Sequence, residues 1–300
     1  MSATYAPVGL FVYRRPEHTR QAVEALLRNP ESANTDLIVF SDAAKSDPAK
    51  EDVNSVRRYV HSIRGFKSVK IIAREHNYGL AGSITDGVNS ICAANGNVIV
   101  VEDDVIVSPR FLNFMNRGLA QFENNDKVMQ ISGYMFPVDT DPPDLALFLP
   151  IISCWGWATW KRAWEKYDGR CSGLPLLKND AALRKEFNLG GAYDYFGMLD
   201  DRVNGKIDSW GICWMLSVFI ARGVVLYPPI TLVTNIGADG SGTHGQGVQS
   251  LFVASGRLGT DNPRLPSSIA TDENVLSRVK SLLSAQRPNL FSRIRTVFGL

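Results

Sequence analysis

Three consecutive carboxylates, Glu102, Asp103 and Asp104, stand at the end of an apolar run that is rich in β-branched residues. An apolar run of this length between polar residues is typical of a strand buried on both faces in a parallel sheet. Because adjacent carboxylates repel one another, three in a row favour a shared cation, and open α/β sheets bind ligands at the carboxyl ends of their strands. The first hypothesis is a divalent metal at Asp103 and Asp104. The alternative is a solvated acidic turn after a core strand.

The elements around this triplet alternate between strand and helix. Apolar runs predict four strands, at 8–13, 36–42, 69–73 and across the stretch 97–109 that contains the triplet. Helical spacing of apolar residues predicts three helices, over 16–27, from Ser46 to Ile63, and from the glycine-punctuated turn at 77–83 to Cys92. Such alternation predicts right-handed crossovers and a mostly parallel sheet.

Length and composition bound the class of protein. At 300 residues with 45% hydrophobic content, the chain can bury a large core as one domain, with or without an elaboration. The formal net charge is +2, so no global field favours nucleic acid or a strongly acidic partner. The four cysteines lie far apart without zinc-like spacing, which favours buried thiols over a disulfide framework. With no signal peptide and no apolar run of roughly 20 residues, a cytoplasmic location is expected.

The second half of the chain changes in character. A helix over 111–122 and a strand over 128–132 continue the α/β pattern, and four of the six tryptophans then fall within 154–164. Further elements are predicted as helices at 181–187 and from Ile207 to Ala221, and as a short strand at 224–227. The stretch 235–247 is rich in glycine, which is typical of a loop that can reorder over a ligand as a lid does.

The C-terminal tail is basic and amphipathic. Five apolar residues between 275 and 283 share one helical face, the same spacing returns after Pro288, and arginines and lysines lie between them. A helix of this kind can lie on an anionic membrane surface. The alternative is that its first half packs on the domain and its end joins an oligomer contact or frays.

The turn after the first strand excludes three classes of nucleotide enzyme. A P-loop NTPase needs GxxxxGK[ST] there, a dinucleotide-binding fold needs GxGxxG, and a sugar nucleotidyltransferase needs a glycine-rich loop with a basic residue. The chain has Tyr13, two arginines and Pro16 at that place. What remains is a metal-dependent enzyme that holds its nucleotide by the ends of strands.

Three segments of the first half, 8–19, 77–82 and 102–111, resemble the nucleotide half of GT-A glycosyltransferases. The Glu-Asp-Asp form followed by a Ser-Pro-x-Phe turn is most similar to the N-acetylglucosaminyltransferase I group and its bacterial relatives. Three later pieces follow in the same order, namely Gly156-Trp157, Asp208-Ser209-Trp210 and His244-Gly245-Gln246. The resemblance covers about residues 7 to 250. It implies a GT-A (Rossmann-like) α/β fold, with a mixed, mostly parallel sheet flanked by helices.

The resemblance implies a role for each acid of the triplet. Asp104 would bind Mn²⁺ or Mg²⁺, Asp103 would contact the ribose of the donor, and Glu102 would lie nearer the sugar. A cation neutralises the charge that develops on a departing nucleoside diphosphate, and it accepts phosphate and water oxygens, so one protein ligand can suffice. The other implied donor contacts are Tyr13 and Arg14 beside the nucleotide, Asp42 on the base, and Asn77, Gly79 and Ala81 in the cleft. The alternative for Gly79 is that it only shapes a turn.

An inverting transfer needs a general base within reach of the acceptor hydroxyl. Asp208 falls where the family has its base. The relatives read Trp-Asp-Asp-Trp with the second Asp catalytic, whereas Ser209 takes that register here. Asp200 and Asp201 are therefore substitute candidates, and the structural alternative for Asp208 is a helix N-cap.

The last implied contacts come from the tryptophan and glycine segments. Trp157 and Trp210 are candidates for stacking on an acceptor sugar, although tryptophans at this density are more often core residues. Ser241, Thr243 and His244 would contact the donor, and His244 could also reach a phosphate or the metal. The alternative for His244 is a histidine without a ligand role.

The predicted function is an inverting, metal-dependent hexosyl- or N-acetylhexosaminyltransferase that moves a sugar from a nucleotide-diphosphate donor, with UDP-sugars favoured, to a glycan or glycolipid. Residues 1–110 would form the nucleotide-sugar half, 111–255 the acceptor half of the same domain, and 256–300 the tail. The expected setting is surface-polysaccharide or lipopolysaccharide assembly at the inner face of the membrane, without nucleic acid. The alternatives are a retaining GT-A transferase and a carbohydrate-binding protein that uses its tryptophans as a platform.

Overall fold

The computed structural model of the chain describes residues 5–239 and 258–285. The strands in those residues are β1 (Val8–Val12), β2 (Asp36–Ser41), β3 (Ser68–Ala73), β4 (Asn97–Glu102), β5 (Val105–Val107), β6 (Val128–Ser132), β7 (Leu147–Leu149), β8 (Trp157–Trp160), β9 (Val224–Tyr227) and β10 (Val233–Asn235). The α-helices are α1 (Pro16–Leu27), α2 (Lys50–Ser62), α3 (Gly79–Asn95), α4 (Phe111–Gln121), α5 (Lys161–Trp164), α6 (Leu174–Asn179), α7 (Ala181–Phe187), α8 (Tyr195–Val203), α9 (Trp210–Ile220) and α10 (Glu273–Ala285).

Eight of these strands form one sheet in the order β3-β2-β1-β4-β8-β6-β9-β7. Strands β3, β2, β1 and β4 are parallel neighbours, β8 is antiparallel to β4 and β6, and β9 is parallel to β6 but antiparallel to β7. Helices flank this sheet, and strands from both predicted halves of the chain take part in it. The predicted fold class, an α/β fold with a mixed, mostly parallel sheet flanked by helices, is confirmed.

The predicted elements of the first half begin and end close to the predicted residues. Helix α1 begins at Pro16, where a proline suits the first helical position because its missing N–H would have had no partner there. A short 3₁₀ turn at Asp47–Ala49 precedes α2. Strand β1 is buried throughout and β4 almost throughout, as continuous apolar runs predict.

The stretch that carries the acidic triplet is two strands and not one. Strand β4 ends at Glu102, Asp103 and Asp104 form a turn, and β5 then pairs with β10 in a separate antiparallel sheet of two strands. The prediction of a single fourth strand is therefore wrong. The prediction failed because an apolar run on each side of the triplet fits two separate buried strands as well as one interrupted strand.

Helix α3 packs closely against the sheet beside the triplet. A Cβ at Gly87 would lie 2.6 Å from the ring of Phe11, which itself stacks on Phe40 with a centroid distance of 4.9 Å. Because no side chain fits at Gly87 without displacing Phe11, the helix can approach the strands more closely than a larger residue would allow. This close packing of α3 on the sheet sets the position at which the turn before α3 meets the end of β2.

The cysteines depart from the sequence expectation. Cys171 and Cys213 form a disulfide across 42 residues of sequence, with their Cα atoms 5.5 Å apart. Cys92 and Cys154 are buried free thiols, as predicted. The expectation failed for the first pair because the fold brings the turn before α6 against the first turn of α9, and sequence spacing does not report such tertiary proximity.

Helix α10 packs on the domain. Arg278 Nη1 donates to the carbonyl of Asp139 at 2.6 Å. The apolar face of the helix is buried at Val275, Leu276, Val279 and Leu283. The first part of the predicted tail helix therefore packs on the domain, as the alternative to membrane binding expected. The apolar face of α10 is covered by the domain and is not open to a membrane. Residues 286–300 lie outside the described residues, so membrane contact there stays a prediction.

None of the helices in residues 5–239 and 258–285 is both long enough and apolar enough to cross a bilayer.

Candidate active site

The carboxyl ends of β4, β1 and β2 lie side by side. Phe11 of β1 is in register with Glu102 of β4, and Val12 of β1 is in register with Ser41 of β2. The residues that follow these partners therefore emerge at one edge of the sheet, which is the edge where open α/β sheets bind ligands. They are 13–15 after β1, Asp42 after β2, and Asp103 and Asp104 after β4.

Arg15 is the cation that Asp103 and Asp104 share. Its Nη2 donates to Asp103 Oδ1 and, at 2.9 Å, to Asp104 Oδ2. The backbone N–H of Tyr13 donates to the other oxygen of Asp103 at 3.4 Å. Burial lowers the pKa of Arg15, and the charges of Asp103 and Asp104 raise it by more. The sequence prediction named Arg14 and missed Arg15, because only the pairing of β1 with β4 in the fold places Arg15 beside the triplet.

Glu102 lies beside this ion-pair network and is almost fully buried. Its Oε1 has no hydrogen bond to any described residue. Burial, followed by the charges of Asp104 and Asp103, raises the pKa of Glu102 well above its ordinary value, and Arg15 opposes the shift. Glu102 is therefore disposed to hold a proton, and a protonated carboxyl can donate a hydrogen bond as well as accept one.

The raised pKa of Glu102 predicts a pH dependence of stability. The folded chain keeps this proton at pH values where the unfolded chain loses it, so the free energy of unfolding falls as the pH rises above the ordinary glutamate pKa. The Glu102→Gln variant removes this titration and is expected to flatten the fall by up to about 1.4 kcal/mol per pH unit. Urea denaturation of both proteins in EDTA, from about pH 5 to 8, measures it. If the free energies of unfolding of the unmodified chain and of Glu102→Gln change with pH in the same way, Glu102 does not titrate as stated.

The oxygens of Asp103 and Asp104 suit a hard divalent cation. Two carboxylates and the one guanidinium of Arg15 leave a net charge of −1, and a nucleoside diphosphate would add more negative charge. Among the described residues, no group of three or more His, Cys, Asp or Glu side chains could hold a metal. A cation here would therefore take its remaining ligands from substrate phosphate and water, which suits Mg²⁺ and Mn²⁺.

The segment after β10 covers Asp104. The backbone N–H of Ile236 donates to the carbonyl of Asp104 at 2.8 Å, and that of Gly237 donates to Asn235 Oδ1 at 2.8 Å. A Cβ at Gly237 would lie 2.4 Å from Asp104 Oδ2 and 3.0 Å from Arg15 Nη1. Glycine is therefore required here by close approach, and sequence reasoning did not single this residue out.

The same segment also contacts α1. His18 Nε2 lies 3.2 Å from Asp239 Oδ2. The chain beyond Asp239 lies outside the described residues up to position 257. The donor contacts that were expected from Ser241, Thr243 and His244 therefore stay predictions.

Asp42 holds the turn that leads into α3. Its Oδ1 accepts from the backbone N–H groups of Ala43 and Tyr78 at 2.9 Å, and its Oδ2 accepts from the N–H of Gly79 and from Asn77 Nδ2 at 3.0 Å. A carboxylate offers about four lone-pair sites, so these donors occupy Asp42. In this structure the carboxylate of Asp42 positions the turn, and its expected contact with the base stays a prediction. Gly79, with a φ of 67°, shapes that turn.

Three further residues that were predicted to contact the donor lie near this edge of the sheet, and their side chains differ in exposure. The hydroxyl of Tyr13 accepts from the N–H of Lys45 at 3.0 Å, which ties the turn after β1 to the turn after β2. Arg14 is exposed, and its guanidinium lies 5.9 Å from the centre of the Tyr13 ring. Ala81 is buried in the first turn of α3 and leaves little surface for a ligand.

Asp208 lies just before α9 and is exposed. Its side chain is 69% exposed, and Oδ1 lies 3.8 Å from Arg202 Nη2. The N-cap of α9 is Ser209, whose Oγ accepts from the N–H of Ile212 at 3.3 Å. The N-cap alternative is therefore wrong for Asp208, and Ser209 is too buried to act on an acceptor. Asp208 keeps a carboxylate open to incoming hydroxyl groups.

The two substitute bases are held in ion pairs on α8. Asp200 Oδ1 lies 2.8 Å from Lys178 Nζ, and Asp201 Oδ1 lies 2.9 Å from Lys206 Nζ. The hydrogen bond from Lys178 lowers the pKa of Asp200. A carboxylate stabilised in its charged form is a weaker base, so Asp208 is the better candidate.

The tryptophans form a buried aromatic cluster. Trp157 and Trp210 are both 0% exposed and stack on each other with a centroid distance of 5.3 Å. Trp164 joins them and stacks on Tyr167 at 4.5 Å. A ring without exposed surface cannot stack on an acceptor sugar, so the expected acceptor contacts of Trp157 and Trp210 are corrected to core packing. The carbohydrate-binding alternative, which needs an exposed platform, loses its basis with them.

The chain has a distant likeness among solved structures. No family model matches the chain, and no curated protein matches it. Among solved structures, the chain is similar to the mannosyltransferase PcManGT from Pyrobaculum calidifontis in complex with GDP-Man and Mn²⁺, at 13% identity and a TM-score of 0.35. The match covers 53% of this chain and 46% of that chain, so the chain spans less than half the length of that protein. A likeness of this size carries no argument about activity.

Proposed function

We propose that this chain is a glycosyltransferase whose donor is a nucleotide-diphosphate sugar. The observation that carries the proposal is the cluster of Arg15, Asp103 and Asp104 at the shared carboxyl edge of β1 and β4. No phosphate-binding glycine loop follows β1, so a nucleotide at this edge would depend on the acids and a cation. The order of segments that resemble GT-A glycosyltransferases supports the same reading.

Within this proposal, Asp104 would hold Mn²⁺ or Mg²⁺. It is the most exposed acid of the triplet, and its Oδ1 accepts no hydrogen bond from the described residues. Bound there, the cation would neutralise the negative charge that develops on the departing diphosphate. Asp103 would orient the ribose, Glu102 would bind a hydroxyl of the sugar, and Arg15 would offer its guanidinium to the diphosphate.

We further propose an inverting transfer with Asp208 as the general base. Asp208 would take the proton of the acceptor hydroxyl while that oxygen attacks the anomeric carbon and the nucleoside diphosphate leaves. Its exposure, and the ion pairs that hold Asp200 and Asp201, favour this choice. A retaining transfer is the alternative within the class, and the anomeric configuration of the product separates the two.

The acceptor would be a glycan or glycolipid in surface-polysaccharide assembly. Residues 111–255 would form the acceptor half and 1–110 the donor half of the same domain. The transferred sugar would be a hexose or an N-acetylhexosamine. An acceptor screen with both kinds of donor decides it.

A panel of nucleotide sugars, scored by melting temperature in Mn²⁺ and in EDTA, tests the proposal. A bound donor is expected to raise the melting temperature by mass action in Mn²⁺ and not in EDTA. Free monosaccharides serve as the control, since a carbohydrate-binding protein would respond to them without metal. If no nucleotide sugar raises the melting temperature in Mn²⁺, the proposed function is wrong.

A further inference from the structure

We propose that Arg15 competes with the divalent metal for Asp104, and that it leaves Asp104 when the diphosphate of a donor accepts its guanidinium. Arg15 then makes binding of the metal depend on binding of the nucleotide. This inference rests on the function proposed above. It goes beyond that function because it assigns control of metal affinity to a residue that does not ligate the metal.

The ion pairs of Arg15 use oxygens that a metal would also use. Nη2 of Arg15 donates to Asp103 Oδ1 and, at 2.9 Å, to Asp104 Oδ2. Gly237 lies so close to the same Asp104 oxygen that a Cβ at this glycine would overlap it. A metal that binds Asp104 in this arrangement is therefore left with Oδ1, and it shares the carboxylate with a guanidinium.

Two cations on one carboxylate repel each other strongly at this edge of the sheet. The side chains of Arg15 and Asp104 are only 17% and 16% exposed, so little water screens the repulsion between the guanidinium and a divalent ion. The guanidinium already neutralises one of the two charges of Asp103 and Asp104, which lowers their attraction for a metal. Arg15 and the metal therefore compete for Asp104 when no nucleotide is bound.

The guanidinium of Arg15 can leave its position while the backbone stays in place. Both ion pairs use the same nitrogen, so neither aspartate is held by the two-pronged contact that makes arginine–carboxylate pairs strongest. The carbonyl of Arg15 accepts from the N–H and from Oγ1 of Thr19, at 2.9 and 2.8 Å, which fixes its backbone at the start of α1. The exchange therefore needs movement of one side chain only.

A diphosphate supplies the new partner that Arg15 needs. Guanidinium groups bind phosphate oxygens through two parallel hydrogen bonds, which is a better contact than one nitrogen shared between two carboxylates. Once the guanidinium lies on phosphate, Asp104 is free for the metal, and the metal in turn attracts the diphosphate. Each ligand thus favours binding of the other, which is positive coupling between metal and nucleotide.

Titration of the whole chain with Mn²⁺ alone, followed by the electron paramagnetic resonance signal of free Mn²⁺, tests the competition. Arg15→Gln is expected to bind Mn²⁺ about tenfold or more tightly than the unmodified chain, because the competing charge is gone. Arg15→Lys keeps the charge but lacks the planar guanidinium, so its affinity is expected to lie between the two. Arg14→Gln is the matched control, since it removes the same charge from the exposed neighbouring residue, and it should bind Mn²⁺ as the unmodified chain does.

The same titration with UDP, GDP, ADP or CDP present tests the exchange. A diphosphate that binds is expected to strengthen Mn²⁺ binding by the unmodified chain. In Arg15→Gln this strengthening is expected to be about tenfold smaller, because no guanidinium has to leave Asp104. A cooperative thermal transition in EDTA verifies that each variant is folded. If Arg15→Gln does not fold, Arg15→Lys tests both points in its place, with smaller changes in the same directions.

The contrary outcomes separate this inference from the proposed function. Mn²⁺ affinity that is unchanged or weaker in the folded Arg15 variants would overturn the competition, and binding of a diphosphate in the same experiment would leave the proposed function standing. Equal strengthening of Mn²⁺ binding by a diphosphate in the unmodified chain and in the Arg15 variants would overturn the exchange. Failure of all four diphosphates to bind in Mn²⁺ would overturn the proposed function, and the exchange with it.

Discussion

Replacing Asp104 by asparagine is expected to lower the rate of sugar transfer about 100-fold or more and to remove the effect of Mn²⁺ on nucleotide binding. Asparagine keeps the shape of the side chain but lacks the charge that would hold the cation. Arg15 keeps its ion pair with Asp103, so the edge of the sheet stays intact. Calorimetry with Mn²⁺ and a nucleoside diphosphate measures binding, and release of nucleoside diphosphate from the donor measures turnover.

Asp126→Asn is the matched control for this experiment. Asp126 is exposed and precedes β6, so it lies at the edge of the sheet opposite to the triplet. The control is expected to bind and turn over like the unmodified chain. Equal turnover in Asp104→Asn and Asp126→Asn would refute the metal role of Asp104.

Replacing Asp208 by asparagine is expected to lower kcat by about 10²–10⁴-fold and to leave donor affinity unchanged. The side chain is exposed before α9 and forms an ion pair with Arg202, so the substitution does not touch the acidic triplet. Steady-state kinetics give kcat, and titration with the donor gives its affinity. A parallel loss of donor affinity would show that Asp208 acts in binding and not as the base.

Asp201→Asn is the matched control for the base. Asp201 is an aspartate on the neighbouring helix α8 and pairs with Lys206 at 2.9 Å. It is expected to retain most of the turnover, since its charge is already held by the lysine. If Asp201→Asn loses the activity and Asp208→Asn keeps it, the base lies on α8.

Local pattern predicted the first half of the fold well. Strands β1 and β4 lie in the middle of the sheet, where burial on both faces demands an unbroken apolar run, and such runs are visible in the sequence. Pro16 marked the start of α1 for a similar reason, because proline suits only a few helical positions. These signals are local, so no knowledge of distant contacts was needed.

The partners of the acidic triplet could not be predicted in the same way. Arg14 and Arg15 are alike in sequence, and only the fold shows that Arg15 reaches Asp103 and Asp104 while Arg14 stays exposed. Gly237 lies against Asp104 because β10 pairs with β5, which depends on tertiary structure. Spacing along the chain carries no information on either contact.

Burial and existing hydrogen bonds limit other candidates. Asp42 has the residue type and place of a base-binding acid, yet four nearby donors occupy it. Trp157 and Trp210 have the residue type of a sugar platform, yet each is fully buried against the other. Residue type indicates which chemistry a side chain can perform, whereas exposure and existing hydrogen bonds decide whether it is free to perform it.

The central claim is that a cation held by Asp104 binds the diphosphate of the donor. Electron–nuclear double resonance on the chain with Mn²⁺ and each common nucleoside diphosphate in turn tests it most directly, because phosphorus couplings report phosphate oxygens bound to the metal. The expected result, with at least one diphosphate, is a protein-bound Mn²⁺ signal with phosphorus couplings that disappears in Asp104→Asn. Spectra identical to those of Mn²⁺ and each diphosphate without protein would contradict the claim.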